Sequence, residues 1–245
     1  MLIGTYIKKQ SIIYLRVFFT QRKIASFLEI PFYLTLIIIG GFILVAGVRK
    51  FRLNALISII MIHCFYIIKI LTISDDSNYP KGIINIFRNI NEFSINHSVI
   101  FWIIAAVFPL LMFSYFALFR KKGICILISL FIILLFCNFD TITWTFPGLQ
   151  GRSFLILFII VVVFFILTMI LITVGIPMFI LAYSSIGSFF CLVGCTSLVM
   201  SLVCCFKKDI YDKSINYNSI DVVILILYGI LFMFGCLYQL NYKNQ

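Results

Sequence analysis

From Ser153 to Val203 the chain runs for about 51 positions without one charged side chain. A membrane-crossing helix needs about 20 largely apolar residues to cover about 30 Å of hydrocarbon. The run is too long for one crossing and long enough for two. Its conspicuous interruption is Val174-Gly175-Ile176-Pro177, where Gly and Pro both disfavour a continuous helix. Spans are therefore predicted over 153–174 and 178–203. No water-soluble fold hides this much apolar surface. Of the 245 residues, 63% are hydrophobic and 11% charged, whereas soluble domains carry about 45–50% and about 25%.

Five further apolar runs have spanning length: 31–48, 53–72, 99–119, 123–139 and 220–240. The first pair is split by Arg49, Lys50 and Arg52, and the second by Arg120, Lys121 and Lys122. Between the pairs lies the polar stretch SDDSNYPKGIINIFRNINEFSINHS, read as a connection. Offset by 71 residues, Arg49 meets Arg120, Lys50 meets Lys121, and Leu56-Ile57-Ser58 meets Leu127-Ile128-Ser129. Each basic knot reads as the tip of a helical hairpin, and the two hairpins as copies of one unit. The pair around VGIP makes a third hairpin whose tip lacks charge. The expected fold is an all-α integral membrane protein, a seven-helix transmembrane bundle of three hairpins plus a closing helix. Residues 1–30 are an interfacial N-terminal segment, 31–240 the transmembrane domain and 241–245 a tail.

The N-terminal stretch is broken by Lys8, Lys9 and Arg16, and it lacks the continuous apolar core and small-residue cleavage site of a signal peptide. Its basic, acid-free character also suits a mitochondrial presequence. It is read as a retained lead-in, in a protein of the plasma membrane or endomembranes in preference to the mitochondrial inner membrane. Six of the eight cysteines lie inside apolar runs, where Cys acts as a small hydrophobe. Cys204 and Cys205 border Lys207 and Lys208, as either an acylation site or two reduced thiols at the membrane edge. No Cys or His spacing fits a metal site, and no catalytic constellation or cofactor motif is present, so no enzymatic activity is expected.

The formal charge of +11 would speak for nucleic acid only if it shared one soluble face. These cations instead border apolar runs, as membrane anchors do. The expected partners are the lipid bilayer, anionic lipids among them, and proteins whose identity the residues do not reveal. Arg49, Lys50, Arg52, Arg120, Lys121 and Lys122 are the candidate lipid or partner contacts. Juxtamembrane cations attract anionic lipid at about 1 kcal/mol each; setting topology during insertion is the competing role.

Ionisable groups inside spans mark function by default. His63, near the middle of the second span, is read as a helix–helix hydrogen bond. Lys69 is close enough to an edge to snorkel, and Asp140 and Asp221 are expected at wet span ends. Without a carboxylate at a span centre, proton or sodium coupling is hard to build. Gly40, Gly41 and Gly47 in the first span, and Ser184, Gly187 and Ser188 in the sixth, are candidate helix-packing positions, because small residues let backbones approach. Asn96-His97-Ser98 fits the N-glycosylation pattern, though it abuts a span.

The stretches IIIGGFILVAGVRKFRLNALISI, FSYFALFRKKGICILISL and AYSSIGSFFCLVG, in this order, resemble the seven-helix domain of transmembrane protein 198 and transmembrane 7 superfamily member 3 (domain of unknown function 4203). The resemblance covers residues 31–240. It implies an integral membrane protein tied to signalling or stress responses, without enzymatic activity, whose N-terminus lies outside. The count of Lys and Arg places the N-terminus inside. The dense tips, the acidic pair Asp75 and Asp76 and the sequon agree with the outside orientation, which is preferred. A non-enzymatic scaffold organising partners at the membrane is the leading expectation. The alternatives are a transporter or channel for a neutral or anionic solute, and an accessory subunit of an organellar complex.

Overall fold

The computed structural model describes residues 26–72, 81–118, 120–136, 142–143, 146–149, 152–206 and 218–243, with Gly4, Ile7, Leu15, Phe18 and Phe19. Its principal helices are α1 (Ser26–Ala46), α2 (Phe51–Thr72), α3 (Lys81–Asn96), α4 (Ser98–Leu118), α5 (Arg120–Phe136), α6 (Ser153–Val174), α7 (Ile176–Phe206) and α8 (Asn218–Lys243). Among the described residues there is no strand. Among the described residues, six stretches are long and apolar enough to cross a membrane: Leu28–Ala46, Phe51–Thr72, Ser98–Leu118, Ser153–Val174, Ile176–Leu202 and Ile220–Asn241. The chain is a multi-pass integral membrane protein. The fourth expected span, 123–139, corresponds to α5, which has only 17 residues; residues 137–139 lie outside the described residues.

Several boundaries differ from expectation by a few residues. Helix α1 begins at Ser26 rather than near 31, since Leu28 and Ile30 continue the apolar run. Glu29 sits in its first turn, where the helix dipole favours negative charge. Helix α8 runs to Lys243. The break between α6 and α7 falls at Gly175, whose φ of 70° is readily adopted only by Gly. Pro177 then sits in the first turn of α7, where its missing N–H costs nothing.

The chain divides into two compact units, Met1–Asn54 with Phe179–Gln245, and Ala55–Met178. In the second, α5 packs along both α4 and α6. Helix α3, read from the sequence as a polar connection, is amphipathic. Its Ile83, Ile84 and Phe87 pack with Leu149, Ile159 and Ile160 around buried Ile142 and Ile156. It continues into α4 through backbone hydrogen bonds from His97 N–H to Phe93 O (2.9 Å) and from Phe101 N–H to His97 O (2.9 Å).

Pro109 lies inside α4. Having no N–H, it leaves the carbonyl of Ala105 without its intrahelical donor. His63 Nε2 lies 3.1 Å from that oxygen, and its ring stacks on Phe108 at 5.4 Å. The carbonyl can only accept, so Nε2 carries the proton. In hydrocarbon an orphaned carbonyl is costly, and the histidine of α2 satisfies it.

Lys69 corrects its reading as a snorkelling anchor: it is only 2% exposed, on the α2 face that also buries Ile62 and Phe65. In the first unit, Asp221 is likewise 2% exposed rather than wet. The backbone at Gly4 lies so close to Asp221 that a Cβ there would collide with the Asp221 carbonyl. Of the N-terminal segment, Ile7, Leu15, Phe18 and Phe19 are buried, and Phe19 meets Phe32 and Tyr33 edge-on.

In the same unit α1 and α7 touch backbone to backbone. A Cβ on Gly40 would stand 2.6 Å from Cys191 N and 2.9 Å from Gly187 O. One on Gly187 would stand 2.8 Å from both Gly40 O and Leu44 N, and one on Gly194 2.8 Å from Tyr33 O. Side chains would force the helices apart, so glycine is what permits the seam. Cys191 Sγ donates across it to Ile37 O at 3.5 Å.

Candidate functional site at the first hairpin tip

A helix end leaves its last four carbonyls without intrahelical donors. Helix α1 ends at Ala46, and residues 47–50 form a tight turn into α2. Two buried amides serve this end. Asn54 Nδ2 donates to Ala46 O at 2.7 Å and Gly47 O at 2.8 Å. Gln239 Nε2, from α8, donates to Leu44 O at 2.8 Å and reaches Ser184 Oγ at 3.3 Å. Gln239 Oε1 accepts from Val48 N–H at 3.2 Å. One glutamine thus ties the turn to both α7 and α8.

The start of α2 is held as firmly. Tyr183 Oη donates to Phe51 O at 3.0 Å, and the rings of Phe51 and Phe179 meet edge-on at 4.6 Å. Burial of the aromatic bodies and satisfaction of the hydroxyl act together here. Arg49 and Lys50 remain exposed on this anchored turn, and Arg52 on the first turn of α2.

Gly47 belongs to the clamp, because a Cβ on it would collide with the Gln239 amide. Ser184 and Ser188 are fully buried, and Ser184 alone of the two is engaged by Gln239. Gly41 stands apart from the other candidate packing positions: a Cβ there would meet nothing within 4 Å.

The second knot is built differently. Helix α4 ends at Leu118 and α5 begins at Arg120, so Arg120, Lys121 and Lys122 occupy a first helical turn where the first knot has a loop. Lys122 is exposed; the side chains of Arg120 and Lys121 lie outside the described residues. So do Lys8, Lys9, Arg16, Arg22, Lys23, Asp75, Asp76, Asp140, Trp144, Lys207, Lys208 and Lys213, and the side chains of Cys204 and Cys205. Sequence reading missed Asn54 as a cap and Gln239 altogether. An Asn within a turn of a basic knot was the available signal for the first. A glutamine near the end of an apolar run was the available signal for the second.

A recess of about 70 Å³ opens beside the clamp, lined by Val45, Ala46, Val48, Arg49, Tyr238 and Gln239. No family model, curated protein or solved structure matches the chain. The tip sets an exposed cation, Arg49, in the lining of a recess whose other walls are both apolar (Val45, Ala46, Val48) and polar (Tyr238, Gln239).

Proposed function

We propose that the chain is a non-enzymatic membrane scaffold, a bundle of seven spans whose basic tips organise anionic lipid or acidic segments of partner proteins. The observation that carries this reading is the clamp. Five hydrogen bonds made by Asn54, Gln239 and Tyr183, with the edge-on ring of Phe179, fix a turn and the start of α2, which together bear three exposed cations. A charged loop meant only to direct insertion needs no such anchoring. Pre-organisation lowers the ordering cost of binding. The resemblance to the seven-helix domain of transmembrane protein 198 supports the same class, as it implies signalling-associated membrane proteins without enzymatic activity.

Affinity purification of the tagged chain from gently solubilised membranes, with mass spectrometry, tests the reading. Reproducible co-purification of proteins bearing acidic juxtamembrane segments is expected, and salt should weaken it, since exposed charges are screened within a Debye length of about 8 Å at physiological ionic strength. Saturable flux of a neutral or anionic solute in reconstituted liposomes would reject the scaffold as a full account and install a transporter. Comigration with a large organellar assembly on native gels would install the accessory-subunit reading.

A further inference from the structure

Two exposed apolar stripes run along spans of the first unit. On α1 they are Ile38, Phe42 and Val45, spaced by four and three residues so that they share a face. On α8 they are Phe234 and Tyr238, one turn apart, with rings 6.1 Å from each other. All five are substantially exposed, from Val45 at 39% to Ile38 at 70%. Helices α1 and α8 are in contact, and Val45 and Tyr238 both line the recess beside Gln239. The stripes therefore converge on it. Beyond their meeting point stands Arg49, also in the lining, with Lys50 exposed as its neighbour.

We infer that this recess is a binding site for one anionic phospholipid, with its acyl chains along the α1 and α8 stripes and its phosphate at Arg49. The inference rests on reading the first tip as a contact site, and it names the ligand of that site. Three features select lipid over a soluble anion or an acidic peptide. The apolar stripes lie on membrane-crossing helices, so their exposed faces meet acyl chains. The cation sits where a span ends, at headgroup depth. Tyr238 places an aromatic ring with a polar tip at the same level, as interfacial aromatics do. Guanidinium matches phosphate geometry through paired N–H donors. Gln239 is held by Leu44, Val48 and Ser184 and shapes the recess, and Arg49 is the cation in its lining.

The test uses the full chain with Trp102→Phe and Trp144→Phe, and Phe234→Trp as the reporter, in phosphatidylcholine vesicles. Brominated phosphatidylglycerol or brominated phosphatidylcholine is added at equal mole fraction, and quenching reports local occupancy. A preference of about five-fold for the anionic lipid is expected, the worth of about one charge near the headgroups. Arg49→Gln should abolish it, and Arg49→Lys, which keeps the charge but not the paired donors, should keep part of it. Val45→Trp with Phe234→Tyr, which fills the recess and moves the reporter into it, should show no preference with Arg49 intact. Equal quenching by the two lipids, a preference that survives Arg49→Gln, or its loss to soluble glycerophosphate would each overturn the site. Partner co-purification measured in parallel separates the two claims. Equal quenching with partners retained removes this site and leaves the scaffold standing, whereas preferential quenching without partners does the reverse.

Discussion

His63 of α2 hydrogen-bonds the carbonyl of Ala105 in α4 at 3.1 Å, an oxygen left without its own donor by Pro109. An intramembrane histidine thereby has a complete structural explanation. The pairing predicts a specific non-additivity. His63→Leu should destabilise the protein by about 1–3 kcal/mol, the cost of an unpaired buried polar group. Pro109→Ala restores an N–H facing Ala105, so the double variant should recover much of that loss. Unfolding in mixed micelles measures the cycle. Strictly additive effects would show that the histidine does not serve this carbonyl.

The clamp around Gly47 makes a second set of expectations. Gln239→Leu strips the partners of Leu44 O and Val48 N–H together and should cost at least about 1–3 kcal/mol. Gly47→Ala overpacks the amide and should cost about 1–3 kcal/mol. Gly40→Ala, at the α1–α7 seam, should behave alike. Gly41→Ala, one position away but facing open space, should leave thermal stability in nanodiscs unchanged. Helix propensity favours Ala over Gly, so a comparable loss at Gly41 would mean that the close α1–α7 approach is not what requires glycine in this stretch.

Six of the seven expected spans were legible because lipid imposes one demand, a long apolar helix, that hydropathy alone records; α5, at 17 residues, is shorter than the expected fourth span. The turn at Gly175 was legible for a related reason: Gly and Pro interrupt helices wherever they fall. Helix α3 was passed over because Asn85, Arg88, Asn89, Asn91 and Glu92 dominate its composition, whereas its fold depends on the spacing of Ile83, Ile84 and Phe87. Burial of Lys69 and Asp221 was not legible. Position along a span says how deep a side chain sits, but which face is packed is decided by neighbours distant in the chain. Gln239 is the extreme case, since its bond to Val48 closes a separation of 191 residues. A glutamine near the end of an apolar run signals a polar group to be satisfied, but the residues around it do not announce which partner does so.

Helix α5 is short for a crossing, yet its mean composition is apolar and its length, at about 1.5 Å per residue, approaches the hydrocarbon thickness. The seven-span account predicts that Lys122, in its first turn, and Arg152, beyond its far end, face opposite sides of the membrane. Single cysteines at the two positions should differ in labelling by a membrane-impermeant maleimide on sealed, oriented vesicles. Equal labelling from one side would reduce the count to six crossings and make α5 a re-entrant or surface helix.

The claim that the clamped first tip is a contact site is tested most directly by replacing Arg49, Lys50 and Arg52 together with Gln. Retention of anionic lipid and of co-purifying partners is then measured in the correctly inserted fraction. The account predicts normal thermal stability, because the clamp residues are untouched, with retention of both ligands falling by about five-fold or more for the charges removed. Unchanged retention in correctly inserted protein, with topology scrambled in the remainder, would contradict it and leave these cations with a role in insertion alone.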